Sequence, residues 1–249
     1  MKKIKIKIAQ LGYIPFPISH KRITKWKSDL FDIDTTVDQY TFQMDSDIEF
    51  SGYSDHTLEK ELPVQTNFDF LITITNVPLQ DDFYARRLSH NRIVISLREV
   101  SDILRKENIN FENYIIRNIY RYLFVYLMYG NRIPLMSEKT NFTHDDTRGC
   151  IFDFNSNKSE LIYSLDKPHI CPECKNKMNG KAHEKVPEYI VVKAEKEIKK
   201  IKKDVYIKLM DFVKQNPLLS IIITFLTGIF MSLLSSFLYD ILKIYLLKF

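Results

Sequence analysis

The sequence predicts an α/β or α+β domain followed by a single C-terminal membrane helix. Two observations lead to this prediction: strand and helix signals alternate between Lys3 and Met128, and an uncharged apolar segment runs from Leu218 to Tyr239. Alternation of the two element types is typical of α/β and α+β domains. We therefore expect a soluble domain over residues 1–185, a helical stalk over 186–216, and a transmembrane helix with a short tail over 217–249.

The strand predictions rest on short alternating or β-branched runs, and the helix predictions rest on longer segments with helical periodicity. The predicted strands are Lys3–Gln10, Thr41–Met44, Phe68–Thr75 and Asn91–Ser96. The predicted helices are Ile18–Phe31, Ser54–Leu62, Leu97–Lys106 and Phe111–Met128. The run FDFLITIT at 68–75 is apolar enough to be buried on both faces, so we expect a mixed sheet with a buried centre.

The net charge of +5 is concentrated in a lysine-rich stretch from Lys193 to Lys214. Lysines beside a membrane helix are attracted to anionic lipids, so the basic balance does not by itself indicate a nucleic-acid-binding protein. The N-terminal sequence MKKIKIKIAQLGYI alternates like a strand and lacks the apolar core of a signal peptide. We expect the soluble domain to lie in the cytoplasm, where cysteines are thiols or metal ligands rather than disulfides.

The apolar segment Leu218–Tyr239 is long enough to cross the roughly 30 Å hydrocarbon core of a bilayer. Because lysines crowd its N-terminal side, the positive-inside rule predicts a single-pass protein with a cytoplasmic soluble domain. The alternative is a buried core helix.

Small residues recur at every fourth position of the apolar segment: Ser220, Thr224, Gly228, Ser232 and Ser236. This spacing favours close packing between membrane helices and predicts self-association.

At least four such helices are needed to enclose a narrow path through the membrane, and we expect a homo-tetramer. Thr224, Thr227 and Ser235 are the candidate pore-lining residues, and Asp240 would form a ring of carboxylates at the far mouth. Such a ring favours cations. The alternative is a plain anchor with Asp240 in solvent.

In the stalk, an apolar stripe at heptad-like spacing predicts one charged helix over 190–214 that packs on itself or on its own domain. The stripe is Ile198, Ile201, Val205, Leu209 and Phe212.

The three cysteines predict a structural zinc site. Cys171 and Cys174 form the knuckle CPEC, and Cys150 is a third thiolate; structural zinc takes four such ligands. His144 is the first candidate for the fourth ligand, with His169 and Asp145 as alternatives. Three unrelated thiols would be the other interpretation.

The order of these motifs resembles the archaemetzincin family of zinc metalloproteases over roughly residues 1–180. The resemblance rests on ITITNVPL at 72–79, NRIVISL at 91–97, the helix ENYIIRNIYRYLFVYLM at 112–128, TH at 143–144, GCIFDF at 149–154 and ICPEC at 170–174. It implies a zincin-like fold with a cysteine cluster. It also implies that the family's fourth cysteine is missing at about Asp145, and that His144 corresponds to the family's third catalytic histidine.

The chain departs from this family where the chemistry would lie. The family's helix carries H-E-x-x-H, two histidines that bind zinc and a glutamate that activates water. Here the matching positions hold Arg117, Asn118 and Arg121, and a guanidinium has no lone pair for a metal. We therefore expect no enzymatic activity. Arg117 and Arg121 share a helix face and could bind an anionic ligand such as a phosphate. The alternative is a pair of surface or salt-bridged arginines, with Asp145, Asp146 or Glu112 as partners.

A degenerate zincin-like domain joined to a membrane segment also resembles the effectors of the bacterial Hailong antiphage defence system. That resemblance implies a tetrameric ion channel in the bacterial inner membrane. It further implies restraint by a ligand, a nucleotide or short single-stranded DNA oligomer made by a partner nucleotidyltransferase. The competing interpretation is a membrane-anchored metal-dependent hydrolase or protease. Against it, the sequence offers no pair of histidines in metal-ligand spacing on a helix. A tail-anchored scaffold is a third interpretation.

Overall fold

A computed structural model describes residues 2–64, 66–180 and 184–246, with side chains described up to residue 243. The chain divides into two compact units, Met1–Lys202 and Lys203–Phe249. The first unit is built in the order β1 (Ile4–Leu11), α1 (His20–Thr24), β2 (Phe31–Tyr40), α2 (Asp55–Glu61), β3 (Phe70–Thr75), β4 (Ala85–Leu88), β5 (Arg92–Ser96), α3 (Val100–Lys106), α4 (Phe111–Met128), α5 (Pro172–Met178) and α6 (Glu188–Ile198). The second contains α7 (Val205–Gln215) and α8 (Pro217–Leu246).

The five strands form one mixed sheet in the order β2-β1-β3-β5-β4. All neighbouring pairs are parallel except β4 and β5, which are antiparallel. Every residue of β3 is buried, as expected for a central strand covered on both faces. The predicted α/β class with a mixed sheet is confirmed.

Helix α4 is the central helix of the domain, and it begins and ends where the sequence predicts. All but two of its residues are buried, so it is covered on every side rather than on one stripe. Its aromatic rings meet the sheet and the following loop: Tyr120 packs edge-on against Phe31 of β2 at 5.1 Å between ring centroids. Phe124 meets Phe152 at 6.1 Å. The residues at the centre of α4 are therefore in the core of the domain.

Two local predictions were wrong, and one strand was missed. The predicted helix Ile18–Phe31 is helical only at α1, because the buried carboxylate of Glu197 binds Ser28 and the Asp29 N–H and holds that segment in a turn. The predicted strand Thr41–Met44 instead lies earlier, as β2, where aspartates along an edge strand masked the pattern. Strand β4 was not predicted at all.

The predicted single helix over 190–214 was also wrong. Helix α6 ends at Ile198, and the chain is not helical again until Val205. Ile198 and Ile201 are buried in the first unit, whereas Val205 and Leu209 are exposed on α7. The apolar stripe is thus split, since its first half completes the core of the soluble domain. The last three residues of the predicted tail lie outside the described residues.

Candidate metal centre and arginine cleft

The loop between α4 and α5 and the start of α5 bring four metal-binding side chains together. Two short β-bridges order this loop, one between Cys150 and His169 and one between His144 and Asp153. Cys171 caps the N-terminus of α5, and Pro172 at its first position starts the turn that carries Cys174. Gly149 has a φ of +74°, and a Cβ there would lie 2.9 Å from the carbonyl oxygen of Tyr163. Glycine is therefore required beside Cys150.

The ligand atoms of His144, Cys150, Cys171 and Cys174 all lie within 4.8 Å of one another, and all four residues are buried. Cys150 Sγ and Cys174 Sγ are 3.9 Å apart, and Cys171 Sγ is 3.5 Å from His144 Nε2. With Zn–S and Zn–N bonds of about 2.3 and 2.05 Å, a tetrahedron requires S–S and S–N separations of roughly 3.8 and 3.5 Å. These two separations match a tetrahedral Cys3His site, and the other pairs of ligand atoms lie within 4.8 Å.

The surroundings of His144 favour a metal-binding tautomer. Its Nδ1 lies 2.9 Å from the carbonyl oxygen of Asp146, and only a protonated Nδ1 can donate to that oxygen. The lone pair is then on Nε2, which faces Cys171. A hydrogen bond on the far nitrogen is the usual way in which proteins orient a histidine ligand. Neither His169 nor Asp145, the alternatives considered for the fourth ligand, belongs to the cluster.

The site also stabilises negative charge on sulfur. The thiol of Cys174 and the backbone N–H groups of Cys171 and Phe152 point to Cys150 Sγ and lower the pKa of Cys150 despite its burial. The Arg148 guanidinium lies 3.7 Å from Cys171 Sγ. The same contact raises the pKa of Cys174, so Cys150 carries the negative charge of this pair. A structural zinc site needs every cysteine ligand as a thiolate, and a bound cation would supply the charge that holds Cys174 in that form.

Asp153 is a further buried acid at the cluster that the sequence did not single out. Its Oδ2 accepts the N–H groups of Arg148 and Cys150, which fixes the loop around the first cysteine. Its Oδ1 lies 3.4 Å from His144 Nε2 and has no hydrogen-bond partner among the described residues. Burial raises the pKa of Asp153. Its free oxygen faces the nitrogen that would bind a metal, so Asp153 borders the site directly.

On helix α4, Arg117, Asn118 and Arg121 are buried rather than on the surface. Arg121 Nη1 donates to the Tyr84 hydroxyl at 2.5 Å, and Arg117 Nη2 lies 3.5 Å from the backbone oxygen of Asp153. The carboxylates suggested as partners bind elsewhere: Glu112 accepts the N–H of Ser19, and Asp146 pairs with Arg148.

A third arginine, Arg87 on β4, joins this group. Both the Arg87 and the Arg121 guanidinium groups lie over the ring of Phe142, at 5.2 and 5.5 Å from its centroid. No carboxylate within residues 2–64, 66–180 and 184–246 forms an ion pair with Arg87, Arg117 or Arg121. Instead, Arg87 Nη1, Arg117 Nε and Arg121 Nε lack any hydrogen-bond partner in this part of the chain. Buried cations without counter-charges are costly.

The charge of this cluster is visible in the pKa values of its members. Burial lowers the pKa of Arg87 and of Arg117, and repulsion from Arg121 adds to both shifts. Burial alone would raise the pKa of Tyr84, but Arg121 and Arg117 bring it below its usual value. Despite burial, the neighbouring Tyr84 raises the pKa of Arg121. Tyr84 is thus the polar group that partly compensates the arginines.

Arg87 and Arg121 open onto a cavity of about 270 Å³. Its other lining residues include Phe83, Tyr84, Tyr122, Phe142 and Phe154. Arg117 is not among the lining residues, although the sequence had placed it beside Arg121 as a ligand-binding residue. It lies deeper, against Asn118 and the Asp153 carbonyl. Arg87 lines the cavity instead, and it could not be predicted as a cavity residue because β4 itself was not predicted.

Within the described residues, one helix is long and apolar enough to span a membrane, Pro217–Lys243 of α8. None of its central apolar window is buried. The Thr224 hydroxyl donates to the Ser220 carbonyl oxygen at 2.8 Å, and that of Thr227 to the Ile223 carbonyl oxygen at 2.8 Å. These donors are therefore satisfied within the helix and cost little in lipid.

The four predicted pore residues do not share one face of α8. At about 100° per residue, Thr224, Thr227 and Ser235 lie within roughly 80° of one another, whereas Asp240 lies about 160° from Thr224. The structure thus groups the three hydroxyl residues and separates Asp240 from them.

The likeness to known proteins is distant and structural. No protein-family model and no curated protein matches the sequence. Among solved structures, the chain is similar to archaemetzincin from Methanopyrus kandleri, with 15% sequence identity and a TM-score of 0.43. The match covers 69% of this chain and 91% of that one. Likeness of this degree says nothing about activity, so the proposals below rest on the residues of this chain.

Proposed function

We propose that this chain is an oligomeric, non-enzymatic membrane effector of bacterial antiphage defence. In this proposal, an anionic ligand bound to the soluble domain controls an ion channel formed by α8. The protein crosses the inner membrane once, with its soluble domain in the cytoplasm. The observation that carries the proposal is α8 itself, a helix of 30 residues that offers apolar side chains to its surroundings along its whole described length. An exposed apolar surface of this length is typical of a segment that lipid or another apolar partner covers, and the proposal assigns it to lipid and to other copies of the helix.

The hydroxyl face of α8 suits a path between helices. Thr224, Thr227 and Ser235 are small polar residues on one side, and a tetramer would direct that side inward. Their oxygen lone pairs can accept bonds from water or bind cations, because the hydroxyl hydrogens of the two threonines are already used within the helix. Asp240 follows the uncharged stretch and would act at the far mouth, not along the path.

The ligand proposed for the soluble domain is a nucleotide or a short single-stranded DNA oligomer supplied by a partner nucleotidyltransferase. The support for an anion comes from the buried arginines of the cleft, which form no ion pair with a carboxylate of the described residues. The support for zinc as a structural cofactor comes from the dimensions of the Cys3His cluster. Four protein ligands leave no open position of the kind that catalytic zinc uses. A membrane-anchored hydrolase or protease is therefore the weaker candidate.

We expect no zinc-dependent peptidase activity from the purified chain. Arg117 and Arg121 cannot bind a metal, and Asn118 cannot act as a base, so α4 lacks the groups that peptide hydrolysis requires. The measurement is cleavage of an unstructured protein substrate with zinc present. Zinc-dependent cleavage that disappears in Arg121→Met would contradict the assignment.

A vesicle flux assay tests the membrane function. Full-length protein reconstituted into vesicles containing anionic lipid should release trapped cations faster than protein-free vesicles do. Asp240→Asn should retain flux but lose several-fold in preference for cations over anions, because the carboxylate at the mouth is neutralised. Asp211→Asn is the matched control, since Asp211 lies on α7, outside the span, and pairs with Lys203. Flux equal to that of empty vesicles in all lipid mixtures would reject the proposal.

A further inference from the structure

The cleft between β4 and α4 holds buried hydrogen-bond donors that the domain leaves unused. Arg87 is 6% exposed and Arg121 is 5% exposed, and both line the cavity. Arg87 Nη1 and Arg121 Nε have no partner among the described residues. Buried polar groups are hydrogen-bonded in nearly all native proteins, so each such exception requires an explanation. A bound acceptor would provide one for both groups at once.

The charge of the cleft indicates what kind of acceptor fits. Three guanidinium groups, those of Arg87, Arg117 and Arg121, lie in or directly behind the cavity. Glu138 also lines the cavity, but its carboxylate is held by Arg132 in two hydrogen bonds of 2.8 Å. A carboxylate or a phosphodiester brings one negative charge, whereas a terminal phosphate brings nearly two at neutral pH. The surplus of positive charge therefore favours a terminal phosphate over the other two.

The remaining walls indicate what the phosphate is attached to. Phe83 and Phe154 meet edge-on at 5.9 Å, and Phe142 lies beneath both cavity arginines. Such surfaces bind the flat face of a base or another ring better than they bind water. A cavity of about 270 Å³ is larger than inorganic phosphate needs, since each water occupies roughly 30 Å³ of liquid. The space beyond the phosphate can hold one ring.

We propose that Arg87 and Arg121 bind a phosphomonoester, the phosphorylated end of a nucleotide or of an oligonucleotide, with its first base against the phenylalanine rings. The assignment rests on the proposed function, because it specifies which group of the anionic ligand is recognised. In this assignment Arg87 contacts the phosphate and selects it over singly charged groups. Arg117 does not contact the ligand, but its positive charge lies behind the site.

Calorimetric titration of the full-length protein in detergent tests the assignment with three probes. These are thymidine 5′-monophosphate, inorganic phosphate, and the dinucleotide TpT, which has an internal phosphodiester but no terminal phosphate. We expect the monophosphate to bind about tenfold more tightly than inorganic phosphate, because only it contacts the rings. TpT should bind at least tenfold more weakly than the monophosphate, because it lacks the second charge. Equal affinity for TpT and the monophosphate would overturn the assignment.

Variants of the two arginines test the contacts. A hydrogen bond to a charged group contributes about 1.5–3 kcal/mol, so Arg87→Met and Arg121→Met should each weaken the monophosphate by about 10- to 100-fold. Arg87→Lys keeps the positive charge but loses the paired N–H donors of the guanidinium, so it should also weaken binding. This variant replaces Arg87→Met in the test if Arg87→Met does not fold. Arg105→Met is the matched control, because Arg105 also lies over a phenylalanine ring, that of Phe16 at 4.7 Å, but outside this cavity.

The outcome is separable from that of the vesicle assay. Monophosphate binding that Arg87→Met and Arg121→Met weaken, and Arg105→Met does not, supports the assignment. Monophosphate binding unaffected by Arg87→Met and Arg121→Met overturns it, even where the vesicles conduct. If the vesicles conduct but the soluble domain does not prefer the monophosphate, only this inference is rejected. If the domain binds the monophosphate as predicted but the vesicles do not conduct, only the membrane function is rejected.

Discussion

Replacing Cys174 by serine should remove the metal and unfold the loop between α4 and α5. The four candidate ligands form a closed Cys3His set, and metal binding to such a site contributes directly to folding, by about 10–16 kcal/mol for isolated zinc-binding peptides. We expect about one zinc per chain in the unmodified protein by elemental analysis. We expect little in Cys174→Ser, together with a loss of several kcal/mol in the free energy of unfolding.

His169→Asn is the matched control for this prediction. His169 forms a backbone bridge with Cys150 but is not one of the four ligands, so the variant should retain its zinc. A strong chelator should lower the stability of the unmodified protein by about as much as Cys174→Ser does. The same chelator should have little effect on the stability of Cys174→Ser, which has already lost its metal. Metal-free protein that unfolds at the same temperature as the zinc-loaded protein would contradict the assignment.

Replacing Arg117 by methionine should stabilise the domain. Arg117 is fully buried, its Nε has no partner among the described residues, and its hydrogen bonds to Asn118 and to the Asp153 carbonyl oxygen are long, at 3.3 and 3.5 Å. Methionine fills a similar volume without a charge, and exchange of buried ionic groups for apolar ones often stabilises a protein by about 1–4 kcal/mol. We expect an increase of about 2 kcal/mol, or a few degrees in melting temperature.

A second buried arginine gives the contrasting control. The Arg92 guanidinium donates to the carbonyl oxygens of Glu59, Leu62 and Ser89, at 2.9, 2.6 and 2.9 Å, so its buried donors are used. Arg92→Met should therefore destabilise the domain by about 3 kcal/mol, because it leaves these acceptors unpaired. Thermal unfolding of both variants in detergent measures the difference. A loss of stability in Arg117→Met as large as that in Arg92→Met would show that Arg117 is a structural residue.

The comparison of sequence with structure shows which features local patterns can reveal. Helix α4 was predicted to the residue because it is long and bounded by clear breaks. The cluster of His144 with the three cysteines was predicted because metal sites need particular side chains, and few cysteines and histidines were available. Strand β2 was misplaced because the aspartates along this edge strand interrupt the alternation of apolar and polar residues. Helices α6 and α7 were predicted as one helix because the spacing of apolar residues does not indicate which surface each of them packs against.

The arginine cleft could be predicted only in part. Arg121 was found through its position on α4, but Arg87, Tyr84 and Phe142 are brought to it from β4 and from a loop by the tertiary fold. Nothing in their spacing along the chain connects them. The opposite placement of Asp240 and Thr224 on α8, by contrast, follows from helical periodicity, and the sequence alone was sufficient to derive it.

The most direct test of a ligand-controlled channel is conductance across a planar bilayer that contains the full-length protein. The account predicts discrete current steps, a reversal potential that shows preference for cations, and loss of that preference in Asp240→Asn. It also predicts that thymidine 5′-monophosphate changes the open fraction in the unmodified protein but not in Arg121→Met. A protein that stays monomeric in detergent and gives no current steps, with or without the nucleotide, would contradict the account and leave α8 as an anchor.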